Sequence, residues 1–247
     1  MKNTFKTGNF NIEYIKNEVD MPVSWENHCH STFEMIGVLE GYVNIMIEGK
    51  KYRLNEGQIT IIPPLCYHSV KANKTGKYRR VTALFDASAI PSEIRERFID
   101  NTNVAVCFSS HLEALKNICK NQDQIYYSLA QALMIQIIYE DMMAKQKGVF
   151  TETDEFLQKA FEYIDLHLHQ KILLDDLAQY TSRSKSSFCH LFEKKMNISP
   201  KQYILQKKLA LASKLIEEGT PHTVAAIKVG YENYSSFYRL YRQKAKI

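Results

Sequence analysis

Residues 174–204 read LDDLAQYTSRSKSSFCHLFEKKMNISPKQYI, and this stretch decides the fold of the C-terminal part of the chain. It contains two short helical segments separated by only a few residues, and Ser184 is a good N-cap residue for the second of them. Ser199 and Pro200 then supply the preferred N-cap and first residue of a longer helix, which is expected to end before Gly219. The pattern predicts a helix-turn-helix unit followed by a connecting helix.

The same pattern of short helix, turn and helix occurs again in residues 223–244, with Gly230 in the turn. We therefore expect an all-helical domain with two helix-turn-helix units. At 1.5 Å per residue the connecting helix is about 28 Å long, which is close to the roughly 34 Å of one DNA turn. The second helices of the two units can then reach successive major grooves, which makes double-stranded DNA the predicted partner.

Polar side chains are expected on the exposed faces of these two recognition helices, because Phe188, Phe237 and their apolar neighbours account for the inward faces. The predicted DNA-binding residues are Lys185, Ser186, His190, Asn233, Tyr234, Ser235 and Arg239. Residues 183–247 contain thirteen Lys and Arg against four Asp and Glu, an excess that suits a polyanionic partner. A plain helical bundle with a solvated, lysine-rich surface is the alternative.

The N-terminal half has the pattern of a β-barrel or sandwich. Between residues 10 and 85, turn signals separate six runs rich in β-branched and aromatic residues: FNIEYI, FEMIGVL, YVNIMI, KYRL, QITIIP and YRRVTALF. A long helix is predicted over residues 123–147, with one apolar stripe formed by Ile125, Leu129, Ala132, Leu133, Ile137 and Ile138. The stripe needs a partner, either the flank of the barrel or a second copy of the helix in a homodimer. The polar residues 145–154 are the predicted linker.

Histidine and glutamate side chains are concentrated near the start of this half. His28, His30 and Glu34 share a parity, so on a continuous strand all three would point into the barrel, where His68 joins them from a neighbouring strand. Three interpretations stand side by side: polar groups that hydrogen-bond one another, a site for a small polar effector, and a site for a divalent transition metal. Trp25 either belongs to the core or stacks against a sugar ring. No cofactor is expected unless that metal is bound.

Composition argues against export, membrane insertion and a disulfide framework. The five cysteines are odd in number, scattered and without a Cys-x-x-Cys pair. No apolar run approaches the roughly 18 residues that span a bilayer, and the N-terminus lacks the apolar segment of a signal peptide. The sequence predicts a cytoplasmic protein without membrane contact.

Residues 155–244 resemble the DNA-binding domain of the AraC family, as seen in residues 174–204 and in the stretches KKLALASKLI and AAIKVGYENYSSFYRLYRQ. The resemblance implies two helix-turn-helix units joined by one helix, and control of transcription through contact with promoter DNA and RNA polymerase. Carried over by position, it implies a phosphate contact for Lys185 and base contacts for Ser186, His190, Tyr234, Ser235 and Arg239. Ser182 stands where the first turn of the family often has Gly.

Residues 28–34, with His68 later in the chain, resemble the two motifs of the cupin barrel, which sensor domains of the AraC family share. In metal-binding cupins these His and Glu positions are the ligand positions, and Leu65 stands where such proteins usually have Gly. The predicted fold class is accordingly α+β with two domains. Residues 1–148 form a cupin-like effector-binding and dimerisation domain with flanking helices, and residues 149–247 form the all-α DNA-binding domain.

The predicted function is a sequence-specific transcription regulator that binds DNA as a homodimer and responds to a small molecule, with sugars among the candidate effectors. It is not expected to be an enzyme. One alternative is a metal-dependent cupin enzyme with an appended basic helical domain. Another is a DNA-binding dimer whose barrel binds no ligand.

Overall fold

The computed structural model describes residues 2–17, 24–72, 78–100, 104–121, 123–146 and 154–244, and ten strands and nine α-helices lie in this part of the chain. The strands are β1 (Lys2–Lys6), β2 (Phe10–Asn17), β3 (Ser24–His28), β4 (Phe33–Glu40), β5 (Tyr42–Ile47), β6 (Lys50–Asn55), β7 (Gln58–Ile62), β8 (His68–Ala72), β9 (Tyr78–Phe85) and β10 (Cys107–Phe108). The helices are α1 (Ser92–Asp100), α2 (Leu112–Asn121), α3 (Tyr127–Gln146), α4 (Glu155–Leu166), α5 (Leu174–Tyr180), α6 (Lys185–Met196), α7 (Pro200–Glu217), α8 (His222–Lys228) and α9 (Tyr234–Lys244).

The strands form two antiparallel sheets that share a core. One sheet has the order β1-β2-β9-β4-β7-β10 and the other has the order β3-β8-β5-β6. Ile36 and Val38 of β4 pack with Val43 and Ile45 of β5, and all four are buried. The six runs predicted as strands are confirmed as β2, β4, β5, β6, β7 and β9, because alternation of apolar residues reports directly on a half-buried strand.

Helices cover the other face of the six-stranded sheet. Met35 of β4 points away from the second sheet and packs in a cluster with residues of α2 and α3, including Leu115 and Ile137. The N-terminal domain is therefore β-rich with flanking helices, as predicted. Among the helices that the structure describes, none is both long enough and apolar enough to cross a membrane.

The helix predicted over residues 123–147 begins with a 3₁₀ turn at Gln124–Tyr126, and α3 itself starts at Tyr127. Its predicted apolar residues divide between two faces, so the prediction of one continuous stripe is wrong. Leu133, Ile137 and Ile138 are buried against the barrel, whereas Ile125 and Leu129 are 78% and 47% exposed. The reason is geometric. Residues four apart on an α-helix are rotated by about 40° from each other, so Leu129 lies about 80° away from Ile137. Ile125 lies in the 3₁₀ turn before α3.

The C-terminal helices begin and end where the sequence signals predict. The side chains of Ser184 and Ser199 accept N-cap hydrogen bonds from the backbone N–H groups of Ser187 and Gln202. Asn197, with a φ of 55°, ends α6 in the left-handed conformation. These caps are local, which explains why the sequence alone could predict them. Residues 147–153, which hold most of the predicted linker and the predicted domain boundary, lie outside the described residues.

A buried lysine on α7 holds the two helix-turn-helix units together. Lys208 Nζ donates hydrogen bonds to the carbonyl oxygens of Leu168, Gln170 and Val229, at 3.0, 2.6 and 2.5 Å. Burial lowers the pKa of Lys208 to about 8. The three carbonyl oxygens take the place of water around the ammonium group. Two of these carbonyls precede α5 of the first unit and the third ends α8 of the second, so Lys208 fixes the units relative to each other.

Gly230 lies at the closest approach of the two units. Its φ of 74° is in the left-handed region, and a Cβ at this position would lie 2.4 Å from the carbonyl carbon of Gln170. Gly219, which ends α7, also has a positive φ, of 91°, but a Cβ there would meet nothing within 4 Å. A comparison of substitutions at the two glycines therefore separates the effect of backbone strain from that of steric contact.

We expect Gly230→Ala to lower the free energy of unfolding by about 1–3 kcal/mol more than Gly219→Ala. Both changes place Ala at positive φ, at a cost of about 1–2 kcal/mol, but only the first also forces apart two packed backbones. Equilibrium urea denaturation followed by far-UV circular dichroism measures both losses. Equal losses would show that the units do not touch at Gly230.

Candidate functional site

The four predicted side chains of the N-terminal domain come together, and we call His28, His30, Glu34 and His68 the His/Glu cluster. One candidate ligand atom from each of the four lies within 4.8 Å of the others. His28 pairs with His68 across β3 and β8, while His30 lies in the turn before β4. The prediction of one continuous strand is wrong, because the chain passes from the four-stranded to the six-stranded sheet between β3 and β4.

Backbone carbonyls fix the orientation of two of the imidazole rings. His30 Nδ1 lies 2.9 Å from the carbonyl oxygen of Thr32, and His68 Nδ1 lies 3.0 Å from that of Cys66. A carbonyl oxygen can only accept a hydrogen bond, so each of these Nδ1 atoms carries a proton. The two Nε2 atoms lie 3.1 and 2.9 Å from Glu34 Oε2.

The charges of the cluster stabilise each other. Burial raises the pKa of Glu34, but hydrogen bonds and charges from His30 and His68 outweigh burial and hold this pKa well below its ordinary value of 4.5. Burial likewise lowers the pKa of His68, and the Glu34 carboxylate reverses the effect and raises this pKa above its ordinary value of 6.5. Glu34 is therefore ionised throughout the physiological range.

An ionised Glu34 sets a condition on the groups next to it, which must donate hydrogen bonds or carry positive charge. A neutral imidazole protonated at Nδ1 presents a lone pair at Nε2, and a carboxylate can also only accept. Two acceptors in contact repel each other. Either the rings of His30 and His68 are imidazolium cations that donate to Glu34, or a hydrogen-bond donor or a cation lies among these atoms when the rings are neutral.

A cavity of about 520 Å³ lies between the barrel and α7, next to the turn that carries His30. Ser31 and Phe33 line it from the barrel, and Lys214 and Glu217 line it from α7. Ser31 Oγ donates to Glu217 Oε2 at 3.0 Å. Sequence reasoning missed the contribution of α7, because no local pattern signals a contact between residues 186 positions apart.

Trp25 lies in β3, with its Cα opposite that of Val70 in β8. It therefore belongs to the same strand as His28. The orientation of its side chain lies outside what the structure describes, so its stacking on a sugar ring stays a prediction.

The first recognition helix, α6, presents its predicted residues to solvent. Lys185, Ser186 and His190 are exposed, whereas Phe188 is fully buried. The ammonium group of Lys185 forms an ion pair with Asp175 of α5, with Nζ 2.8 Å from Oδ2. Exposed pairs of this kind contribute little, so a DNA phosphate can replace the carboxylate at small cost.

The second recognition helix, α9, exposes Tyr234, Ser235 and Arg239. Asn233 precedes the helix, and its Oδ1 accepts a hydrogen bond from the backbone N–H of Ser236 at 3.0 Å. This is the geometry of an N-cap, so the side-chain oxygen of Asn233 already serves the helix itself. The role of Asn233 in DNA binding stays a prediction, in which only the side-chain amide nitrogen would contact DNA.

Sequence reasoning missed Arg242 on the same helix. Arg242 is exposed, and its guanidinium carbon lies 5.9 Å from the centre of the Tyr238 ring, which stacks on the ring of Tyr234 at 5.6 Å. The signal was present, because Arg242 follows Arg239 by three residues and so shares its face. This face of α9 thus combines two aromatic rings with two guanidinium groups.

Two family models match the chain. One, described as an AraC-like ligand binding domain, matches residues 9–161, and the other, described as a helix-turn-helix domain, matches residues 177–247. The uncharacterized HTH-type transcriptional regulator YobQ of Bacillus subtilis (strain 168) is 21% identical over 216 residues, which are 87% of this chain and 83% of that protein. The probable transcriptional regulator LumQ of Photobacterium leiognathi is 38% identical over 82 residues, which are 33% of each chain.

Among solved structures, wild-type ToxT from Vibrio cholerae strain SCE256, bound to an unsaturated fatty acid, aligns with a TM-score of 0.46 and 10% identity. The alignment covers 98% of this chain and 93% of ToxT. The first family model alone covers more than half of the chain. The chain therefore belongs to the AraC-type transcriptional regulators, with an N-terminal cupin-like ligand-binding domain and a C-terminal helix-turn-helix domain that binds DNA.

Proposed function

We propose that the protein controls transcription by placing α6 and α9 in successive major grooves of a specific promoter site, and that a small molecule bound in the barrel domain sets this activity. The observation that carries the proposal is the exposure of both recognition helices on two units that Lys208 holds at one spacing. A rigid spacing lets both helices bind without a further loss of conformational freedom.

Base and phosphate contacts divide among the exposed residues. Arg239 is the best candidate for reading a guanine edge, since a guanidinium group can donate to O6 and N7 together. Lys185 is the candidate phosphate contact. The remaining base contacts are assigned to Ser186, His190, Tyr234 and Ser235, with Asn233 as a further DNA contact.

The wider assignments follow from the same proposal. Residues 1–148 bind effector and dimerise, residues 149–247 bind DNA, and the protein acts in the cytoplasm together with RNA polymerase. Its relatives are named transcriptional regulators, and we assign no catalytic turnover to the barrel.

The His/Glu cluster is the proposed effector site. A neutral polar effector such as a sugar satisfies the condition that an ionised Glu34 imposes, because its hydroxyl groups can donate both to the carboxylate and to neutral Nε2 atoms. Trp25, in the strand that ends at His28, is the proposed stacking partner.

A divalent transition metal is the second candidate ligand, favoured by the orientation of the rings. His30 and His68 each give Nδ1–H to a backbone carbonyl and turn Nε2 towards the carboxylate, as metal-binding histidines commonly do. The cluster residues would hold such an ion, and the ion would supply a Lewis acid for an oxygen atom of the effector.

A homodimer through α3 is the proposed assembly. Every residue of one stripe on this side of the chain is exposed: Ile125, Leu129, Ala132, Gln136, Tyr139 and Met143. Within α3, from Leu129 to Met143, their spacing alternates between three and four, which is the repeat of the seam between two helices in a coiled coil. A second copy of the same stripe is therefore the proposed occupant, and the opposite face of α3 already packs on the barrel.

Binding of full-length protein to DNA selected from a random duplex library tests the function. Affinity should fall steeply with salt, because several Lys and Arg displace counterions. Arg239→Ala should cost about 1–3 kcal/mol on the selected duplex and relax preference at one base position. Lys185→Ala should weaken the selected and a scrambled duplex equally. A flat salt response, or an Arg239→Ala variant with unchanged discrimination, would count against this placement of the helices.

Leu129→Glu should convert the protein from dimer to monomer, because it buries a charge in the proposed seam of α3. DNA affinity should then fall at least about tenfold, since two linked domains no longer bind one site together. Ser128→Glu adds the same charge one residue away, outside the stripe, and should stay dimeric. Analytical ultracentrifugation decides the matter, and a dimeric Leu129→Glu variant would place the interface elsewhere.

The cluster should give the metal-free protein a pH-dependent stability. Because the pKa of His68 is raised in the folded state, its contribution to stability is complete below 6.5 and is lost as pH rises through the raised pKa. Because the pKa of Glu34 is lowered, its contribution is complete above 4.5 and is lost as pH falls through the lowered pKa. The gain is therefore largest between these values. Glu34→Gln should lower the thermal midpoint by about 3 °C more at about pH 5.5 than at about pH 8.5.

Glu40→Gln is the matched control for this experiment, since it breaks an ion pair with Arg79, whose charge does not change in this range. A loss of thermal stability in Glu34→Gln that does not vary with pH would exclude the ion pair between Glu34 and His68.

Elemental analysis of untagged protein separates the two candidate ligands. One transition-metal ion per chain, absent from His30→Ala, would favour the metal.

A further inference from the structure

The barrel and the helical domain meet at the tip of the hairpin that joins β5 to β6. Glu48 lies there, and its carboxylate accepts hydrogen bonds from the backbone N–H of Tyr67 at 2.8 Å, from Tyr203 Oη at 2.5 Å and from Lys207 Nζ at 3.2 Å. Tyr67 belongs to the barrel, whereas Tyr203 and Lys207 belong to α7. One carboxylate therefore joins the barrel to the helix that connects the two DNA-binding units.

This junction is buried. Lys207 is only 4% exposed, and its ammonium group also pairs with Asp165 of α4 at 2.9 Å. Burial lowers the pKa of Lys207, but Glu48 and Asp165 outweigh burial and raise it, so the lysine stays charged. The rings of Tyr67 and Tyr203 pack beside these charges, with centroids 5.1 Å apart. A buried charge that loses its partner is strongly destabilised, so breaking this contact is costly.

A short segment, residues 65–68, connects this junction to the His/Glu cluster. The N–H of Leu65 donates to the carbonyl oxygen of His30 at 2.9 Å, and the carbonyl of Cys66 holds the ring of His68. The next residue, Tyr67, exchanges two hydrogen bonds with Glu48, from its N–H to the carboxylate and from the N–H of Glu48 to its carbonyl, at 2.8 and 2.9 Å. Residues 65–68 thus contact both the His/Glu cluster and the interdomain junction.

We propose that Glu48, Tyr203 and Lys207 form an interdomain latch, and that occupancy of the His/Glu cluster changes this latch through residues 65–68. The proposal rests on the cluster being the effector site, as put forward above. The carbonyl of Cys66 and the N–H of Tyr67 belong to one peptide group, so a ligand that turns the His68 ring changes the hydrogen bonding of the same peptide that binds Glu48.

The latch acts on the orientation of the DNA-binding domain. His190 and Arg239 are exposed while the latch is closed, so the barrel does not cover the recognition helices. A second contact near the cluster reaches the other end of α7, where Ser31 binds Glu217. The barrel therefore holds the connecting helix at two points, and a change at the cluster alters the position of both units on DNA.

A double-mutant cycle tests the latch. The affinity of the full-length protein for the duplex selected by the wild type is measured at fixed salt for the wild type, Glu48→Gln, Glu34→Gln and the double variant. Each single change should alter affinity, and the double variant should depart from the product of the single effects by at least about fivefold. Tyr203→Phe, which removes one hydroxyl and keeps the ring, repeats the cycle should Glu48→Gln fail to fold.

The control is Glu40→Gln, which breaks the Arg79 ion pair in the barrel, at 2.9 Å, away from the latch. Combined with Glu34→Gln, it should give additive effects within about twofold. Additive effects of the latch and cluster variants, or single variants with wild-type affinity, would overturn the latch. A wild type that selects no DNA sequence would instead overturn the proposed function, so the two failures are distinguishable.

Discussion

The hydrogen bonds of the Lys208 ammonium group fix the distance between the two recognition helices. Their acceptors are carbonyls 40, 38 and 21 residues away in the chain, on both helix-turn-helix units. A buried ammonium group without acceptors costs several kcal/mol, so the lysine and the three carbonyls hold one another in place. DNA presents successive major grooves at one spacing, about 34 Å. The packing of Gly230 on Gln170 depends on this junction. So does the ability of the second recognition helix to reach a major groove while the first is bound.

The sequence predicted what is local and missed what is distant. Ser184, Ser199 and Asn197 act within one turn of their own helices, so residue type alone identified them. Lys207 and Lys208 show the limit. Both are buried lysines in the run KK, yet Lys207 binds carboxylates of the barrel and of α4, and Lys208 binds carbonyls between the units. Neighbouring helical residues point about 100° apart, and only the packing of α7 decides which side faces which partner.

The His/Glu cluster was predicted correctly in composition by an argument that was wrong in geometry. Parity on one strand does not unite His28, His30 and Glu34, because β3 and β4 belong to different sheets. The pairing of β3 with β8 and the turn at His30 bring them together. Ser182 and Leu65 both have positive φ, 55° and 63°, at positions where the families that the sequence resembles often have Gly. The backbone thus keeps the turn although the residue is not Gly, at a strain of about 1–2 kcal/mol each.

The connecting helix α7 contacts the barrel and both helix-turn-helix units. Lys207 faces the barrel and Lys208 faces the junction of the two units, one residue later. Because Lys208 binds both units, a displacement of α7 at Lys207 cannot move one recognition helix and leave the other in place. In the proposed latch, the barrel therefore acts on the two units together. A signal from the His/Glu cluster should then change affinity for the whole promoter site, while the preference at each base position, which we assign to side chains such as Arg239, stays the same.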